Sequence, residues 1–321
     1  MSGGVAIDVR DLRMTYVIRA RGDGAAGGQP RRLEAVRGID LSVREGEVFA
    51  LLGPNGAGKT TTVEILEGFR TRTAGEVSVL GFDPGRRPRR LKAQVGIVLQ
   101  STGIDPYLTV AETVELYRGY YPHPRPLDEV LDVVGLAHRR NVRVLKLSGG
   151  QQRRLDVAIA LAGDPTLLFL DEPTTGFDPS ARRNAWEVVK NLEALGKTIF
   201  LTTHYMDEAQ YLAKEVAIIA GGVIVARGTP ESLGGRDTAA TIVRFASPDG
   251  GADALPAPLR QHATSVNGTV QLSTEDPTRT LHELTGWALD RGVRLDDLSV
   301  TRPSLEDVYL RITGGEAGVE G

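Results

Sequence analysis

One glycine-rich stretch, placed between an apolar run and a helix-length segment, constrains this chain more than any other part of it. From Phe49 to Thr62 the chain reads Phe-Ala-Leu-Leu-Gly-Pro-Asn-Gly-Ala-Gly-Lys-Thr-Thr-Thr, which satisfies the spacing G-x-x-x-x-G-K-[ST]. Gly53, Gly56 and Gly58 allow backbone N–H groups to turn inward, and the following helix adds unpaired N–H groups and the positive end of its dipole. The stretch therefore predicts a strand, a phosphate-binding loop and a helix.

Two side chains at the end of this loop have the chemistry that bound phosphates require. Lys59 is placed to reach the outer phosphates, and the Thr60 hydroxyl is placed to bind a Mg²⁺ ion that bridges them. Thr60 to Val63 is a β-branched run at a helix start, and such local conflicts are typical of functional sites. A plain strand-to-helix turn does not explain the complete motif with its flanks. The predicted phosphate-binding residues are Gly53, Pro54, Asn55, Gly56, Ala57, Gly58, Lys59, Thr60 and Thr61.

Polar residues also follow other predicted strands. Gln100 follows the apolar run 95–99, Asp171 and Glu172 follow Leu167 to Leu170, and His204 follows Thr198 to Thr203. Open α/β sheets bind ligands at the carboxyl ends of their strands, so these residues predict one site together with the phosphate loop. Asp171 is expected to hold Mg²⁺ and Glu172 to orient an attacking water, with a solvated acidic loop as the alternative. We expect His204 to contact the terminal phosphate, although a lone histidine is more often structural.

A second helix start carries a pair of glycines. Ser148, Gly149, Gly150 and Gln151 open a helix whose apolar residues recur at helical spacing. Ser148 with Gln151 three residues later is a capping box, which alone would explain a well-capped helix. It does not explain the glycines, which are unfavourable in a helix but leave the backbone open to a phosphate. The pattern therefore favours a second anion-binding helix start.

Composition places few limits on partners. The 321 residues favour two unequal domains, and the formal charge of −3, from 38 basic and 41 acidic residues, selects neither nucleic acid nor an acidic membrane. The absence of cysteine excludes disulfides and thiolate metal sites, and suits a reducing compartment. The most apolar segment, Val216 to Ala226, has eleven residues around Gly221-Gly222, whereas a membrane span needs about 20. We expect a β-hairpin there, and a soluble, cytoplasmic chain without a secretory signal.

The remaining segments allow a coarse assignment. Val5 to Arg10 predicts a strand, and Arg19 to Arg32 a mobile loop rich in Gly and Arg. Tyr16 precedes that loop, and the residues leave open whether it stacks on an adenine or is a half-buried strand tyrosine. Pro84 to Arg90 is read as a solvated basic turn. Residues 110–144 predict a helical insertion that is interrupted at 121–126.

Taken together, four motifs resemble the ATP-binding cassette of ABC transporters. They are Gly53 to Thr60, Leu147 to Gln151, Leu167 to Glu172 and Thr202 to His204, within a resemblance that spans roughly residues 5 to 232. The resemblance implies an α/β P-loop NTPase fold with a helical subdomain, ATP and Mg²⁺ as cofactors, and a separate membrane permease as partner.

The same resemblance assigns roles to two further residues. It implies that Gln100 senses Mg²⁺ and the membrane subunit, and that Asp178 crosses the seam of a dimer. The chain departs from the family at Phe177, where leucine is usual, and in the long loop after Tyr16. The first departure leaves the match of the aspartate intact. The second departure affects the match between Tyr16 and the aromatic residue that stacks on the adenine in the family.

The domain prediction follows from these segments. We expect a nucleotide-binding domain at 1–235, with a helical subdomain at about 101–163 and the mobile loop at 19–32. A small α+β appendage is predicted at 236–312, ordered strand, strand, helix, strand and helix, with a flexible tail at 313–321. The stretch from Leu298 to Leu310, followed by Thr313-Gly314, is similar to the ending of ATPase subunits in antibiotic-resistance exporters of the daunorubicin type.

These features predict the ATP-hydrolysing subunit of an exporter for drug-like or lipid-like cargo. Importer ATPases and soluble ABC ATPases that do not transport are the alternatives. DNA-acting relatives insert a long coiled coil between the phosphate loop and the second helix start, whereas fewer than a hundred residues separate them here. Ribosome-bound relatives carry two cassettes, and a GTPase would carry Asn-Lys-x-Asp. A regulator that binds ATP without hydrolysing it would require an idle Glu172.

The two helix starts also predict a dimer. No arginine finger is evident in the motifs, so two copies are expected to meet about a twofold axis. Ser148, Gly149 and Gly150 of one copy would then close on the phosphate held by the loop of the other, and the pair would require an ATP at each site. We expect the assembly at the cytoplasmic face of the membrane, held by the permease, with no nucleic acid partner.

Overall fold

The computed structural model describes residues 4–18, 31–98, 103–235, 240–246, 251–266, 268–302 and 304–313. Gln100, residues 19–30 of the predicted loop and residues 314–321 of the predicted tail lie outside the described residues. The chain divides into two compact units, Met1–Pro230 and Glu231–Gly321. In the part of the chain that the structure describes, no helix combines the length and apolarity that crossing a membrane requires.

The first unit contains nine strands and seven α-helices among its described residues. The strands are β1 (Val5–Ile18), β2 (Arg31–Arg44), β3 (Val48–Leu52), β4 (Ala74–Val79), β5 (Val95–Val98), β6 (Leu167–Asp171), β7 (Thr198–Thr203), β8 (Glu215–Ala220) and β9 (Val223–Gly228). The helices are α1 (Lys59–Leu66), α2 (Arg89–Lys92), α3 (Val110–Arg118), α4 (Leu127–Val133), α5 (Gly149–Leu161), α6 (Pro179–Ala194) and α7 (Met206–Leu212).

The central sheet has the strand order β5-β6-β7-β3-β8-β9. Its first five strands are parallel and β9 is antiparallel. Every residue of β3, β6 and β7 is buried, as expected for continuous apolar strands that are covered on both faces. Since β6, β7 and β3 are adjacent and parallel, their carboxyl ends meet at one edge, where the site residues lie.

A second sheet of the first unit has the antiparallel order β2-β1-β4. The predicted strand Val5 to Arg10 continues to Ile18, and β2 already begins at Arg31, so the prediction of a loop was wrong for Arg31 and Arg32. Tyr16 pairs with Leu33, and Ile18 with Arg31. This long pairing was missed because Arg31 and Arg32 continue the polar, glycine-rich sequence before them, while their pairing partners come from β1.

The core of this unit lies against both sheets and α1. Phe49, Phe169 and Phe200 come from β3, β6 and β7, and the ring of Phe200 lies 5.3 Å from that of Phe49 and 5.7 Å from that of Phe169. Each of these side chains is almost fully buried. A large buried aromatic on each of three adjacent strands fixes the register at which their polar ends meet.

The insertion and the hairpin agree with their predictions. The helices α3 and α4 are separated at residues 119–126, and α3 is capped by a box between Thr109 and Glu112. The strands β8 and β9 pair antiparallel around Gly221 and Gly222, which have φ of 52° and 81°. A tight hairpin turn of this kind requires positive φ at both central residues, which glycine adopts readily. The basic segment Pro84 to Arg90 forms a 3₁₀ turn and the beginning of α2.

The second unit is a four-stranded antiparallel sheet with helices. Its elements are β10 (Thr241–Ala246), α8 (Ala257–Arg260), β11 (Ala263–Val266), β12 (Thr269–Thr274), α9 (Pro277–Arg291), β13 (Ser299–Thr301) and α10 (Leu305–Thr313), and its strand order is β11-β12-β10-β13. Phe245, Leu272 and Leu284 form the centre of its core. The α+β class is confirmed, but the order contains one more strand than predicted, because a short hairpin joins β11 to β12.

Candidate functional site

The phosphate loop has glycines that the surrounding fold requires. A Cβ at Gly53 would lie 2.3 Å from the carbonyl oxygen of Ile219, and one at Gly58, where φ is +107°, would lie 2.5 Å from that of Ala35. Neither position accepts a side chain, because these contacts are with backbone atoms. Gly56 has φ of +79° and open space around the position of a Cβ. The loop is therefore held close to its neighbours at both ends and open at its middle.

Lys59, the first residue of α1, is buried and surrounded by oxygen atoms. Its Nζ donates to the carbonyls of Gly53 at 2.8 Å and Pro54 at 3.1 Å. The same Nζ lies 3.2 Å from Oε1 of Glu172, in a pair whose side chains are 4% and 9% exposed. A buried ion pair of this kind carries a high desolvation cost, and removing either partner leaves an uncompensated charge. The ammonium is thus held where an anion in the loop would lie.

Asp171 and Glu172 end β6 beside this lysine. The hydroxyl of Thr202 on β7 donates to a carboxylate oxygen of Asp171 and accepts from the backbone N–H of Glu172 at 3.0 Å. Thr175 donates to Oε2 of Glu172 at 3.1 Å. Glu172 has φ of +44°, which is uncommon for a residue with a side chain. This turn separates the directions of the two neighbouring carboxylates.

The two carboxylates differ in acidity. Burial, reinforced by the negative charge of Glu172, raises the pKa of Asp171. Burial also opposes ionisation of Glu172, but the charge and hydrogen bond of Lys59, together with Thr175, outweigh it and hold the pKa of Glu172 below its usual value. Glu172 is therefore ionised at neutral pH, which is the form that a general base requires.

His204 lies beside the same carboxylate, as its place after β7 predicts. Its Nδ1 is 3.4 Å from Oε2 of Glu172, and its ring packs against that of Tyr205 at 4.1 Å between centroids. The structure thus brings together residues from the ends of three strands: Lys59 after β3, Glu172 after β6 and His204 after β7. Gln100 follows β5 and is outside the described residues.

Tyr16 has contacts that the sequence did not reveal. Its hydroxyl lies 3.1 Å from the hydroxyl of Thr61 on α1, and the guanidinium of Arg70 covers its ring at 5.0 Å from the centroid. The side chain is half-buried on β1. Tyr16 is thus a strand tyrosine beside the phosphate loop, and Arg70 covers one face of its ring. Stacking of this ring on an adenine stays a prediction.

Tyr16, Lys59 and Glu172 line an open cavity of about 450 Å³. Its wall includes the loop, the start of α1, Glu172 and Tyr16, and the lining residues are Tyr16, Leu33, Ala35, Asn55, Gly56, Gly58, Lys59, Thr60, Thr61 and Glu172. Such a cavity combines an apolar side with convergent polar groups, which is typical of a nucleotide-sized site.

The second helix start lines a different cavity, of about 460 Å³. Ser148 and Gln151 form the predicted capping box at the start of α5. A Cβ at Gly149 would meet no atom within 4 Å, and one at Gly150 would meet only the Cβ of Ala181 at 3.5 Å. Neither glycine has a positive φ. Among the residues that the structure describes, nothing therefore requires glycine at these two positions.

Asp178 lies on the wall of this second cavity. Its Oδ1 accepts from the backbone N–H groups of Ser180 at 2.8 Å and Ala181 at 2.9 Å, so that it caps α6. The segment Thr175 to Asp178 contributes to the same wall. Within a single chain Asp178 is thus a capping residue, and its predicted place at a dimer seam stays a prediction.

The donor set fits ATP and Mg²⁺. Mg²⁺ prefers oxygen ligands. Thr60 lines the first cavity, and the buried carboxylate of Asp171 ends β6, which is separated from β3 by β7. A bound divalent cation would favour the ionised form of Asp171 against burial. Lys59 and the open middle of the loop at Gly56 suit a phosphate chain.

Sequence reasoning missed the residues that hold the acidic pair in place. Thr202 joins Asp171 to Glu172, and Arg153 on α5 donates to the backbone on both sides of Glu172. Two signals were available: a polar end to an apolar strand at Thr202, and an arginine at helical spacing with the buried Val157 and Leu161.

The geometry defines a P-loop nucleotide-binding cassette. A family model described as ABC transporter matches residues 36–175, and one described as the C-terminal domain of ABC transporter domain-containing protein-like proteins matches residues 241–304. The daunorubicin resistance ATP-binding protein DrrA2 of Streptomyces coeruleorubidus is 37% identical over 93% of this chain and 95% of its own length. The Nod factor export ATP-binding protein I of Rhizobium meliloti (strain 1021) is 37% identical over 97% and 89%. The chain belongs to the ABC transporter family, as an ATPase subunit.

Solved structures agree with the fold. A dimeric ATP-binding cassette in a post-hydrolysis state, bound to ADP and Pi, has a TM-score of 0.58 and 25% identity, and the match covers 70% of this chain and 98% of the other. A cassette from Clostridium perfringens, part of an ABC transporter complex, has a TM-score of 0.59 and 26% identity over 71% and 90%. The predicted fold class and family are confirmed.

Proposed function

We propose that this chain hydrolyses ATP with Mg²⁺ as a homodimer and drives a separate membrane permease that exports drug-like or lipid-like cargo. One observation carries the proposal: the chain has two cavities with complementary chemistry, neither complete. The first holds Lys59 and Glu172 beside the phosphate loop. The second exposes the backbone of Gly149 and Gly150 at the start of a helix of 13 residues.

The two cavities would form one site between two copies. A Cβ at Gly149 would meet nothing within 4 Å and one at Gly150 only the Cβ of Ala181, so the bare backbone here is open to a ligand held by another chain. The start of α5 would place its N–H groups and positive dipole end on the γ-phosphate bound by the loop of the partner. Twofold symmetry would repeat this contact, and Asp178 would lie at the seam.

The residues suggest the division of labour in hydrolysis. The loop and Lys59 bind the phosphates, while Glu172 takes a proton from water as its oxygen attacks the γ-phosphorus and the bond to the β-phosphate oxygen breaks. Thr60, Asp171 and Gln100 would hold Mg²⁺, which neutralises charge that develops on the phosphate oxygens. His204 would contact the γ-phosphate, and Tyr16 the adenine. Loss of the bridging phosphate would let the copies separate.

The transport role rests on the relatives. Two of them are named for daunorubicin resistance and for Nod factor export, which favours export over import. We infer that the chain binds its permease at the cytoplasmic face of the membrane, with Gln100 as the residue that senses the membrane subunit. A soluble ATPase without a transport partner is the second candidate, and it would be stimulated by no membrane subunit.

Release of phosphate from ATP tests the enzyme activity. We expect Glu172→Gln to lower kcat by about 100-fold or more, as for loss of a general base, while ATP still binds. Glu187→Gln, which removes a carboxylate on α6 that bonds Tyr211, is the control and should retain wild-type turnover. Full activity in Glu172→Gln would contradict the assignment.

Co-purification from membranes tests the transport role. A tagged chain should bring down an integral membrane protein, and adding that protein in vesicles should raise ATP turnover and move cargo in the wild type but not in Glu172→Gln. If no membrane protein recovered in this way changes the rate of ATP turnover, the soluble ATPase is favoured instead.

A further inference from the structure

The backbone of Glu172 is held from two sides. On one side its N–H donates to the carbonyl and the hydroxyl of Thr202 on β7, at 3.2 Å and 3.0 Å. On the other side the guanidinium of Arg153 donates from Nη2 to the carbonyl of Asp171 at 3.0 Å and from Nε to the carbonyl of Pro173 at 3.3 Å. The two carbonyls flank Glu172 in the chain.

Arg153 belongs to α5, five residues after the capping Ser148. It is only 9% exposed, and its Nη1 lies 3.7 Å from a carboxylate oxygen of Asp156 one turn later. A buried guanidinium is costly unless it is paired and hydrogen-bonded. Here its planar group reaches both carbonyls, and a lysine ammonium does not offer that geometry.

The clamped residue is the one whose backbone is unusual. Glu172 has φ of +44°, and its carboxylate must point at Lys59, 3.2 Å away, while the preceding Asp171 points toward Thr202. Residues in sparsely populated conformations persist where their surroundings fix them. The Asp171 carbonyl belongs to the peptide plane that precedes Glu172, so the bond from Arg153 limits rotation of that plane. The bond to the Pro173 carbonyl holds the chain one peptide plane beyond the plane that follows Glu172.

We propose that Arg153 is a positioning residue that holds Glu172 in the orientation required for proton transfer from water. This inference rests on the proposed role of Glu172 in hydrolysis. Arg153 is not among the lining residues of either cavity. Its effect is therefore exerted through the backbone on either side of Glu172. Small misplacements of a reacting group are sufficient to lower turnover by about 100-fold.

A matched control is present in the same unit. Arg118 on α3 also donates from Nε to a backbone carbonyl, that of Arg125 at 2.7 Å, and also pairs with a carboxylate three residues away, Glu115. Its side chain is 18% exposed. Replacing Arg118 therefore removes the same kind of interaction far along the chain from Glu172.

The experiment measures kcat and KM for ATP with the full chain carrying Arg153→Lys, Arg153→Gln, Arg118→Lys or Arg118→Gln. We expect kcat to fall by about 10-fold in Arg153→Lys and by up to about 100-fold in Arg153→Gln, with KM within about twofold of the wild type. Both Arg118 variants should retain wild-type kcat. If Arg153→Gln does not fold, the lysine variant, which keeps the charge beside Asp156, decides alone.

A double-variant cycle separates positioning from a general structural effect. In the Glu172→Gln background, single-turnover phosphate release should fall by less than about twofold when Arg153→Lys is added, because the group being positioned is already gone. An equal loss in both backgrounds, or a change in KM alone, would overturn the role of Arg153. Full activity in Glu172→Gln alone would instead overturn the proposed function.

Discussion

The two glycine-rich helix starts of this chain look alike in sequence but differ in what surrounds them. At the start of α1, side chains are forbidden at Gly53 and Gly58 by backbone oxygens at 2.3 Å and 2.5 Å, and a buried lysine pairs with Glu172. At the start of α5, Gly149 would accept a Cβ without contact. The glycines before α1 are required by contacts within the chain, whereas Gly149 at the start of α5 has free space around it.

The two helix starts also differ in the chemical groups that they present to a ligand. The first cavity is lined by the buried Lys59 and Glu172, whereas the second offers backbone N–H groups and a capping serine. A γ-phosphate carries charge on three oxygens and is best stabilised from several directions. In the proposed dimer, each cavity would supply one side of the phosphate.

The largest expected effect separates binding from hydrolysis. Lys59→Met should weaken ATP binding by about 10- to 100-fold, because a charge-assisted contact to phosphate is lost. Gly149→Val should leave the affinity of the isolated chain within about twofold, since the phosphate loop is intact, but lower turnover by about 100-fold. Fluorescent-nucleotide titration and phosphate release measure the two quantities. Equal losses of affinity in both variants would remove the distinction between the starts.

Thermal unfolding sharpens the same comparison. Gly53→Ala places a Cβ against a backbone carbonyl and should cost about 3 kcal/mol, or roughly 6 to 12 °C in Tm. Gly149→Ala creates no contact and improves helix propensity by up to about 1 kcal/mol, so Tm should stay constant or rise by about 3 °C. A fall in Tm of similar size in both variants would show that the fold needs both glycines.

The smallest expected effect concerns pH. Burial, with the charges of Asp171 and Glu64, raises the pKa of Glu67 at the end of α1 from 4.5 to about 8. The folded protein therefore holds this proton more tightly than the unfolded chain, and the resulting stability is present below pH 4.5 and lost as pH rises through about 8. Glu67→Gln removes this loss.

Differential scanning fluorimetry at pH 5 and pH 8 measures the effect. The Tm of Glu67→Gln relative to the wild type should rise by about 5 °C between these values. Glu34→Gln, at an exposed side chain of β2, is the control and should shift Tm equally at both. If the difference in Tm between Glu67→Gln and the wild type does not depend on pH, the source of pH-dependent stability lies outside the end of α1.

Much of this arrangement was present in local sequence patterns. The strands that carry Lys59, Glu172 and His204 were predicted because continuous apolar runs end at polar residues. The pairing of β1 with β2 as far as Ile18 was not predictable, since Arg31 and Arg32 carry no strand pattern and are ordered by pairing with β1. The contacts of Arg153 were also missed, because its helical spacing with Val157 and Leu161 indicates a buried helix face but not which carbonyls the guanidinium reaches.

Sedimentation of Glu172→Gln with and without saturating Mg-ATP tests most directly whether two copies share the nucleotide. Bound ATP should persist in this variant, so the chain should be a dimer with Mg-ATP and a monomer without it. The double variant Glu172→Gln/Gly149→Val should bind ATP and stay monomeric, because α5 can no longer approach the phosphate. Glu172→Gln that remains monomeric at saturating Mg-ATP, or a double variant that dimerises equally well, would contradict the shared site.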